Sequence, residues 1–236
     1  TGSVYSTPSL GDIDGDGQIE VVFGATNDIV YSLSGINGSV EWDYTTGLGI
    51  YSSPVLGDVD DDGQVEVLIG SADDILYCIG GNNGSLEWNF TTNGDIRNNP
   101  ALGDLDGDGI LEVVFGSTQN DDNIYCLYAN NGTLKWNYSA GDDLISSPVL
   151  GDINRDGIIE VVIGSHDAHL YCLSGLNGSE IWSPLIGGNV ISTAAIGEID
   201  GDNQVEVVIS SNGRVWFISG ENGSVEYEYN TGAEIT

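Results

Sequence analysis

Short apolar segments alternate with polar, glycine-rich turns along the whole chain, and no stretch places apolar residues at helical spacing. Within residues 47–92 this pattern predicts four strands, in the segments "SSPVLGDV", "QVEVLIG", "DILYCIG" and "GSLEWNFTT". Asn83-Gly84 separates the third strand from the fourth, as expected of a tight hairpin turn with positive φ. The pattern therefore predicts antiparallel hairpins and an all-β fold.

The four-strand unit recurs five times. An acidic loop follows the first strand of each unit, and the first acids of successive loops lie 46, 46, 48 and 46 residues apart. These acids are Asp12, Asp58, Asp104, Asp152 and Glu198. A period in the forties with several short strands per repeat is typical of β-propeller blades. We therefore predict a five-bladed β-propeller with four antiparallel strands per blade and the acidic loop between the first and second strands.

The blades fill the chain as one domain, residues 1–236. Their approximate bounds are 1–46, 47–92, 93–140, 141–186 and 187–236. The repeats stay in phase to the C-terminus, where Thr231-Gly232 matches Thr46-Gly47. We therefore expect blade 5 to close a ring against blade 1. The alternative is that the five blades belong to a larger propeller.

Two parts of each repeat resemble known propeller families. The segment "DIDGDGQIEVVFG" and its four copies resemble the FG-GAP and VCBS repeats of integrin-type propellers. The other half, as in "YSLSGINGSVEWDY", is similar to the PQQ-like propeller repeat, with a glycine turn and a following tryptophan. The sequence lacks the adjacent cysteine pair, and has too few blades, for the quinone enzymes with PQQ-like repeats. The resemblance therefore implies the propeller fold without a quinone.

The acidic loops have the composition of a cation site. In the first loop Asp12, Asp14 and Asp16 occupy positions 1, 3 and 5, Gln18 offers its backbone carbonyl at position 7, and Glu20 follows at position 9. Alternate residues of a tight loop face its centre, and six to eight oxygens at about 2.3–2.6 Å suit calcium; magnesium ranks second. Asp-Gly pairs also form plain solvated turns, but a turn does not need acids at these fixed positions in every repeat.

We predict about five calcium ions, one per blade, each pinning a hairpin. The ligands in the other loops are Asp58, Asp60, Asp62, Gln64 and Glu66; Asp104, Asp106, Asp108, Ile110 and Glu112; Asp152, Asn154, Asp156, Ile158 and Glu160; and Glu198, Asp200, Asp202, Gln204 and Glu206. Asn154 removes one charge from the blade 4 site. Blade 5 has the longer Glu198 at position 1 and Asn203 in place of the loop glycine, so its site is predicted to be the weakest.

The charge balance and the calcium loops limit which partners and which location are expected for this chain. The chain has 4 Lys and Arg against 37 Asp and Glu, and the loops hold 19 of these acids. Such a surface repels nucleic acids and anionic lipid headgroups. No apolar run approaches the roughly 20 residues of a membrane span, so direct membrane insertion is not expected. Calcium sites in extracellular modules bind at about 10⁻⁴–10⁻³ M, which predicts an extracellular or cell-surface location.

Seven asparagines match the N-glycosylation sequon and are candidate glycosylation sites. They are Asn37, Asn83, Asn89, Asn131, Asn137, Asn177 and Asn222. Five of the seven precede the glycine of a predicted hairpin turn, where asparagine favours the turn itself. Three cysteines recur at one phase of the repeat and are expected to be buried free thiols: Cys78, Cys126 and Cys172. Five aromatic residues recur in the fourth strand and are expected to pack between blades, with sugar stacking as the alternative: Trp42, Trp88, Trp136, Trp182 and Tyr227.

No catalytic constellation is recognised in the sequence, and we do not expect an enzyme. There is no nucleophile elbow, phosphate loop or CxxCH motif. We predict a structural or adhesive module that binds a protein or glycan at the cell surface. One alternative is a lectin-like propeller with pockets between blades. A second is a polysaccharide-active enzyme, which needs a suitably spaced carboxylate pair.

The connections on the face opposite the acidic loops differ most between repeats, as recognition loops often do. We expect them to form an acidic rim that favours a cationic or hydroxyl-rich partner, with plain solvated loops as the alternative. The residues of this rim are Asp73, Asp74, Asp121, Asp122, Asp142, Asp143 and Arg97.

Overall fold

The computed structural model describes residues 2–119 and 121–232. These residues form twenty strands in five four-stranded antiparallel sheets, and no helix is found among them. Within this described part of the chain there is accordingly no helix able to cross a membrane. The predicted all-β architecture of five four-stranded blades is confirmed.

The strands of each blade follow one another in chain order. Blade 1 contains β1 (Ser9–Gly11), β2 (Glu20–Ala25), β3 (Ile29–Ser34) and β4 (Val40–Thr45); blade 2 contains β5 (Val55–Gly57), β6 (Glu66–Gly70), β7 (Ile75–Gly80) and β8 (Leu86–Thr91); blade 3 contains β9 (Ala101–Gly103), β10 (Glu112–Gly116), β11 (Asn123–Tyr128) and β12 (Thr133–Ser139); blade 4 contains β13 (Val149–Gly151), β14 (Glu160–Gly164), β15 (Leu170–Ser174) and β16 (Glu180–Trp182); blade 5 contains β17 (Ala195–Gly197), β18 (Glu206–Ser211), β19 (Arg214–Ser219) and β20 (Val225–Asn230).

The core lies between successive blades. The short first strands of neighbouring blades contact one another, β1 with β5, β5 with β9, β9 with β13 and β13 with β17, so they form the innermost layer. The second strands of the three middle blades are buried at every position. They read as continuous apolar runs because both of their faces are covered by other blades.

Tryptophans of the fourth strands connect each blade to the next. Trp136 is buried, lies over Gly178 and donates its Nε1 hydrogen to the carbonyl oxygen of Gly175 at 2.8 Å. The same bond to the following blade is made by Trp42, Trp88 and Trp182 at 2.6–2.9 Å. The predicted packing role is confirmed for these four residues. It is wrong for Tyr227, which occupies the same position in blade 5 and is 58% exposed.

Blade 5 does not cover blade 1, so the expected ring closure is wrong. At the internal junctions the space beside the last glycine of each first strand is filled by an aliphatic side chain of the next blade, as Leu56 fills the space beside Gly11. At Gly197 in blade 5, a side chain would meet no described atom within 4 Å. The matching Leu10 of blade 1 is 66% exposed. The five blades therefore form an open arc.

The structure agrees with the predictions for the hairpin turns in part and with those for the cysteines in full. At each turn between the third and fourth strands the glycine has positive φ, 68° at Gly84, but the preceding asparagine does not. Cys78, Cys126 and Cys172 are free and buried, as predicted. Burial raises the pKa of each of these thiols far above its ordinary value.

Candidate metal centres

Each acidic loop lies between the first and second strands of its blade and is shaped by its own carboxylates. Asp12 accepts backbone hydrogen bonds from Gly15 at 2.9 Å and from Gly17 at 3.0 Å. Asp14 accepts one from the backbone of Asp16 at 3.0 Å. Gly17 has a φ of 87°, which a β-carbon would disfavour. The acids therefore hold the loop in a tight turn that points their side chains inward.

The glutamate at position 9 of each loop accepts a hydrogen bond from the backbone of the same loop. Glu20 is buried, at 1% exposed, and its Oε2 accepts the backbone N–H of Ile13 at 2.9 Å. The same bond recurs at 2.8–2.9 Å in the other four blades, from Val59 to Glu66, Leu105 to Glu112, Ile153 to Glu160 and Ile199 to Glu206. One carboxylate oxygen of each glutamate is thereby used by the backbone, and the other accepts from Lys135 in blade 3 and from Asn154 in blade 4.

In four of the five blades, carboxylate oxygens from at least three acids lie within 4.8 Å of one another. These sets are Asp12, Asp14 and Glu20; Asp58, Asp60 and Asp62; Asp104, Asp106 and Asp108; and Glu198, Asp200 and Glu206. The loops thus bring together most of the side chains that were predicted as ligands. The backbone carbonyls of position 7 stay a prediction.

Buried oxygens without partners show that a cation fits these loops. Asp58 Oδ1, Asp152 Oδ1 and Glu206 Oε1 are buried and have no hydrogen-bond partner among the described residues. A buried charged acceptor without a partner is strongly destabilising. An all-oxygen, multiply anionic donor set suits a hard divalent cation such as calcium. Bound there, the cation would supply the missing positive charge and pin the hairpin between the first two strands.

The electrostatics of the blade 2 site also favour a bound cation. Burial raises the pKa of Glu66 to about 7, against the lowering effect of the hydrogen bond from Val59. The neighbouring Glu87, Asp60 and Asp62 add repulsion in the same direction. A cation bound at the loop would favour the ionised form of this carboxyl group.

One residue near each site was missed by reasoning from the loops alone. It precedes the aromatic residue of the fourth strand and is Glu41, Glu87, Lys135, Ile181 and Glu226 in blades 1 to 5. Lys135 Nζ lies 2.6 Å from Asp106 Oδ2 and 2.9 Å from Glu112 Oε1, and its side chain is 6% exposed. Burial alone would lower the pKa of Lys135, but the hydrogen bonds to these two acids raise it. The blade 3 site therefore contains an ammonium group that the other sites lack.

Blades 4 and 5 depart from the pattern as well. In blade 4, Asn154 Nδ2 lies 3.1 Å from Asp156 Oδ2 and 3.1 Å from Glu160 Oε1, so that it donates to both acids. In blade 5, Asn203 has a φ of 71° and replaces the loop glycine. This is the left-handed conformation that the sequence suggested asparagine would tolerate there.

The opposite rim is partly structural. Asp73 Oδ2 accepts a hydrogen bond from the Tyr77 hydroxyl at 2.7 Å and also one from the backbone of Gly47. The Tyr125 hydroxyl donates to Asp121 at 3.0 Å, and the Tyr171 hydroxyl to Asp167 at 2.6 Å. The spacing of four residues between each Asp and its Tyr is the sequence signal that would have shown this. Arg97 pairs with its neighbour Asp95 at 2.6 Å.

Three acids of the rim do converge. Oxygens of Asp122, Asp142 and Asp143 lie within 4.8 Å of one another. Burial raises the pKa of Asp122, and the charges of Asp143 and Asp142 raise it further.

All seven sequon asparagines are exposed. Five of them also support their turns: Asn83 Oδ1, for example, accepts the backbone N–H of Ser85 at 2.8 Å. The same bond occurs at Asn37, Asn131, Asn177 and Asn222. Their turn function therefore accounts for asparagine at these five positions, and glycosylation stays a prediction.

Several solved structures have a fold similar to that of this chain. The quinohemoprotein alcohol dehydrogenase from Comamonas testosteroni aligns with 98% of this chain and 43% of its own, at 14% identity and a TM-score of 0.76. BamB from Moraxella catarrhalis aligns with 97% of this chain and 67% of its own, at 17% identity and a TM-score of 0.63. The V. cholerae biofilm matrix protein Bap1 aligns with 96% of this chain and 39% of its own, at 21% identity and a TM-score of 0.74.

These identities establish a shared fold and no shared activity. This chain spans less than half the length of the alcohol dehydrogenase and of Bap1. No curated protein sequence matches it. The sequence model of the FG-GAP-like repeat family matches residues 58–115 and 104–163. These two matches cover the acidic loops of blades 2 to 4, which the sequence analysis had compared with the same family. Residues 58–163, which form the middle of an arc of propeller blades, are therefore similar to FG-GAP-like repeats.

Proposed function

We propose that this chain is a calcium-stabilised structural or adhesive module of an extracellular or cell-surface protein, and that it contacts a protein or glycan there. The observation that carries the proposal is the recurring loop in which a buried glutamate and converging aspartates leave carboxylate oxygens without partners. Calcium would neutralise these loops and stabilise every hairpin that contains one. The similar fold of a biofilm matrix protein is compatible with such a setting.

The side-chain contacts favour a structural or adhesive module over a lectin-like propeller or a polysaccharide-active enzyme. The carboxylates of the loops are used by the backbone and by the expected cation, and those of the opposite rim are largely bonded to tyrosines and backbone amides. A lectin-like function would require repeated sugar pockets, whereas the fourth-strand tryptophans are engaged at the blade junctions.

Calorimetric titration of the EDTA-stripped chain tests this proposal. We expect several ions of calcium to bind at about 10⁻⁴–10⁻³ M, with weaker binding of magnesium because it demands stricter octahedral geometry. Glu20→Gln and Glu66→Gln each keep an acceptor for the backbone N–H but remove a charge, so each variant should bind one ion fewer or bind it more weakly. Absence of calcium binding at millimolar concentration would overturn the proposal. A glycan array with stoichiometric binding per blade would favour the lectin-like alternative instead.

A further inference from the structure

The five sites differ at the residue that precedes the fourth-strand aromatic. In blade 3 the ammonium group of Lys135 touches Asp106 and Glu112, the acids at positions 3 and 9 of that loop. It also lies 5.2 Å from the ring centroid of Tyr128 and is shielded from solvent. A buried ammonium group with two charge-assisted hydrogen bonds to carboxylates is already compensated electrostatically. A second cation at the same oxygens would be repelled.

Blades 1, 2 and 5 carry the opposite charge at this position. Their residues there, Glu41, Glu87 and Glu226, are exposed. Glu226 lines one cavity together with Asp200 and Glu206 of the blade 5 loop. The converging acids of these three loops are therefore not neutralised by a lysine at this position, and a cation can bind them.

We propose that Lys135 takes the place of calcium in blade 3, and that calcium binds the loop acids of blades 1, 2 and 5, where a glutamate replaces this lysine. This inference rests on the proposed function. The chain would thus contain one blade that is stabilised internally and three that depend on the calcium concentration. The first proposal concerns whether calcium binds at all, and this one concerns which blades bind it.

Reciprocal charge exchange tests the assignment, with calcium stoichiometry measured by calorimetry. Lys135→Glu should gain one ion relative to the unchanged chain, and Glu87→Lys should lose one. Lys135→Glu should also melt at a lower temperature in EDTA and recover in calcium, whereas Glu87→Lys should become less sensitive to EDTA. Circular dichroism establishes that each variant is folded. If the unchanged chain binds calcium and both folded variants keep its stoichiometry, this inference is wrong while the proposed function stands.

Discussion

Removing calcium is expected to lower the melting temperature of this chain by about 15–30 °C. A site at 100 times its Kd contributes about 2.7 kcal/mol to the free energy of unfolding. Three such sites, in blades 1, 2 and 5, would contribute about 8 kcal/mol. One kcal/mol shifts the melting temperature of a domain of this size by about 2–4 °C. Differential scanning calorimetry in calcium and in EDTA measures the shift directly.

The control for this experiment is magnesium at matched ionic strength. The chain has a formal net charge of −33, so any salt relieves some of its self-repulsion. A rise that magnesium reproduces in full would show general charge screening and would count against calcium loops. Equal melting temperatures in calcium and EDTA would leave the carboxylates of the loops without the proposed role.

Replacing Trp136 by alanine is expected to lower the free energy of unfolding by about 3–5 kcal/mol, the usual cost of deleting a buried aromatic side chain. Trp136 is buried between blades 3 and 4, lies over Gly178 and donates a hydrogen bond to Gly175. The variant would therefore lose packing and leave a carbonyl oxygen without its partner. Urea unfolding in saturating calcium measures the difference.

Tyr227 provides a matched control for this substitution. It occupies the same position of the repeat, but at the open end of the arc, and is exposed. Tyr227→Ala should change the free energy of unfolding by about 0.5 kcal/mol or less at concentrations where the chain is monomeric. Similar losses for both variants would mean that blade 5 is covered in solution and that the arc is not open within one chain.

Local sequence patterns predicted the strands of each blade because those strands pair with one another within one repeat. The acid at position 1, the turn glycine and the glutamate at position 9 lie within nine residues, so their spacing alone places them in one loop. Lys135 lies 23 residues beyond Glu112, and its contact with the blade 3 site depends on how the fourth strand crosses the sheet. Comparison of the five repeats at that position, where Lys135 and Ile181 replace glutamate, was the available signal.

Ring closure was predicted wrongly for a related reason. The spacing of the repeats gives the number of blades, but it contains no information on the angle between neighbouring blades. That angle results from the side chains at each junction, such as Leu56 beside Gly11 and Trp42 over Gly84. Tyr227 in place of tryptophan was the one visible sign that the last junction differs.

The reactivity of the three buried cysteines can report how readily each of the three middle blades opens. Cys78, Cys126 and Cys172 each face the tryptophan of the neighbouring strand in the same register, and none is accessible to solvent. Alkylating reagents attack thiolates, and burial keeps these thiols protonated. Modification must therefore wait for a blade to open locally. With one thiol per blade, the order in which the three react would rank the blades by how readily each one opens.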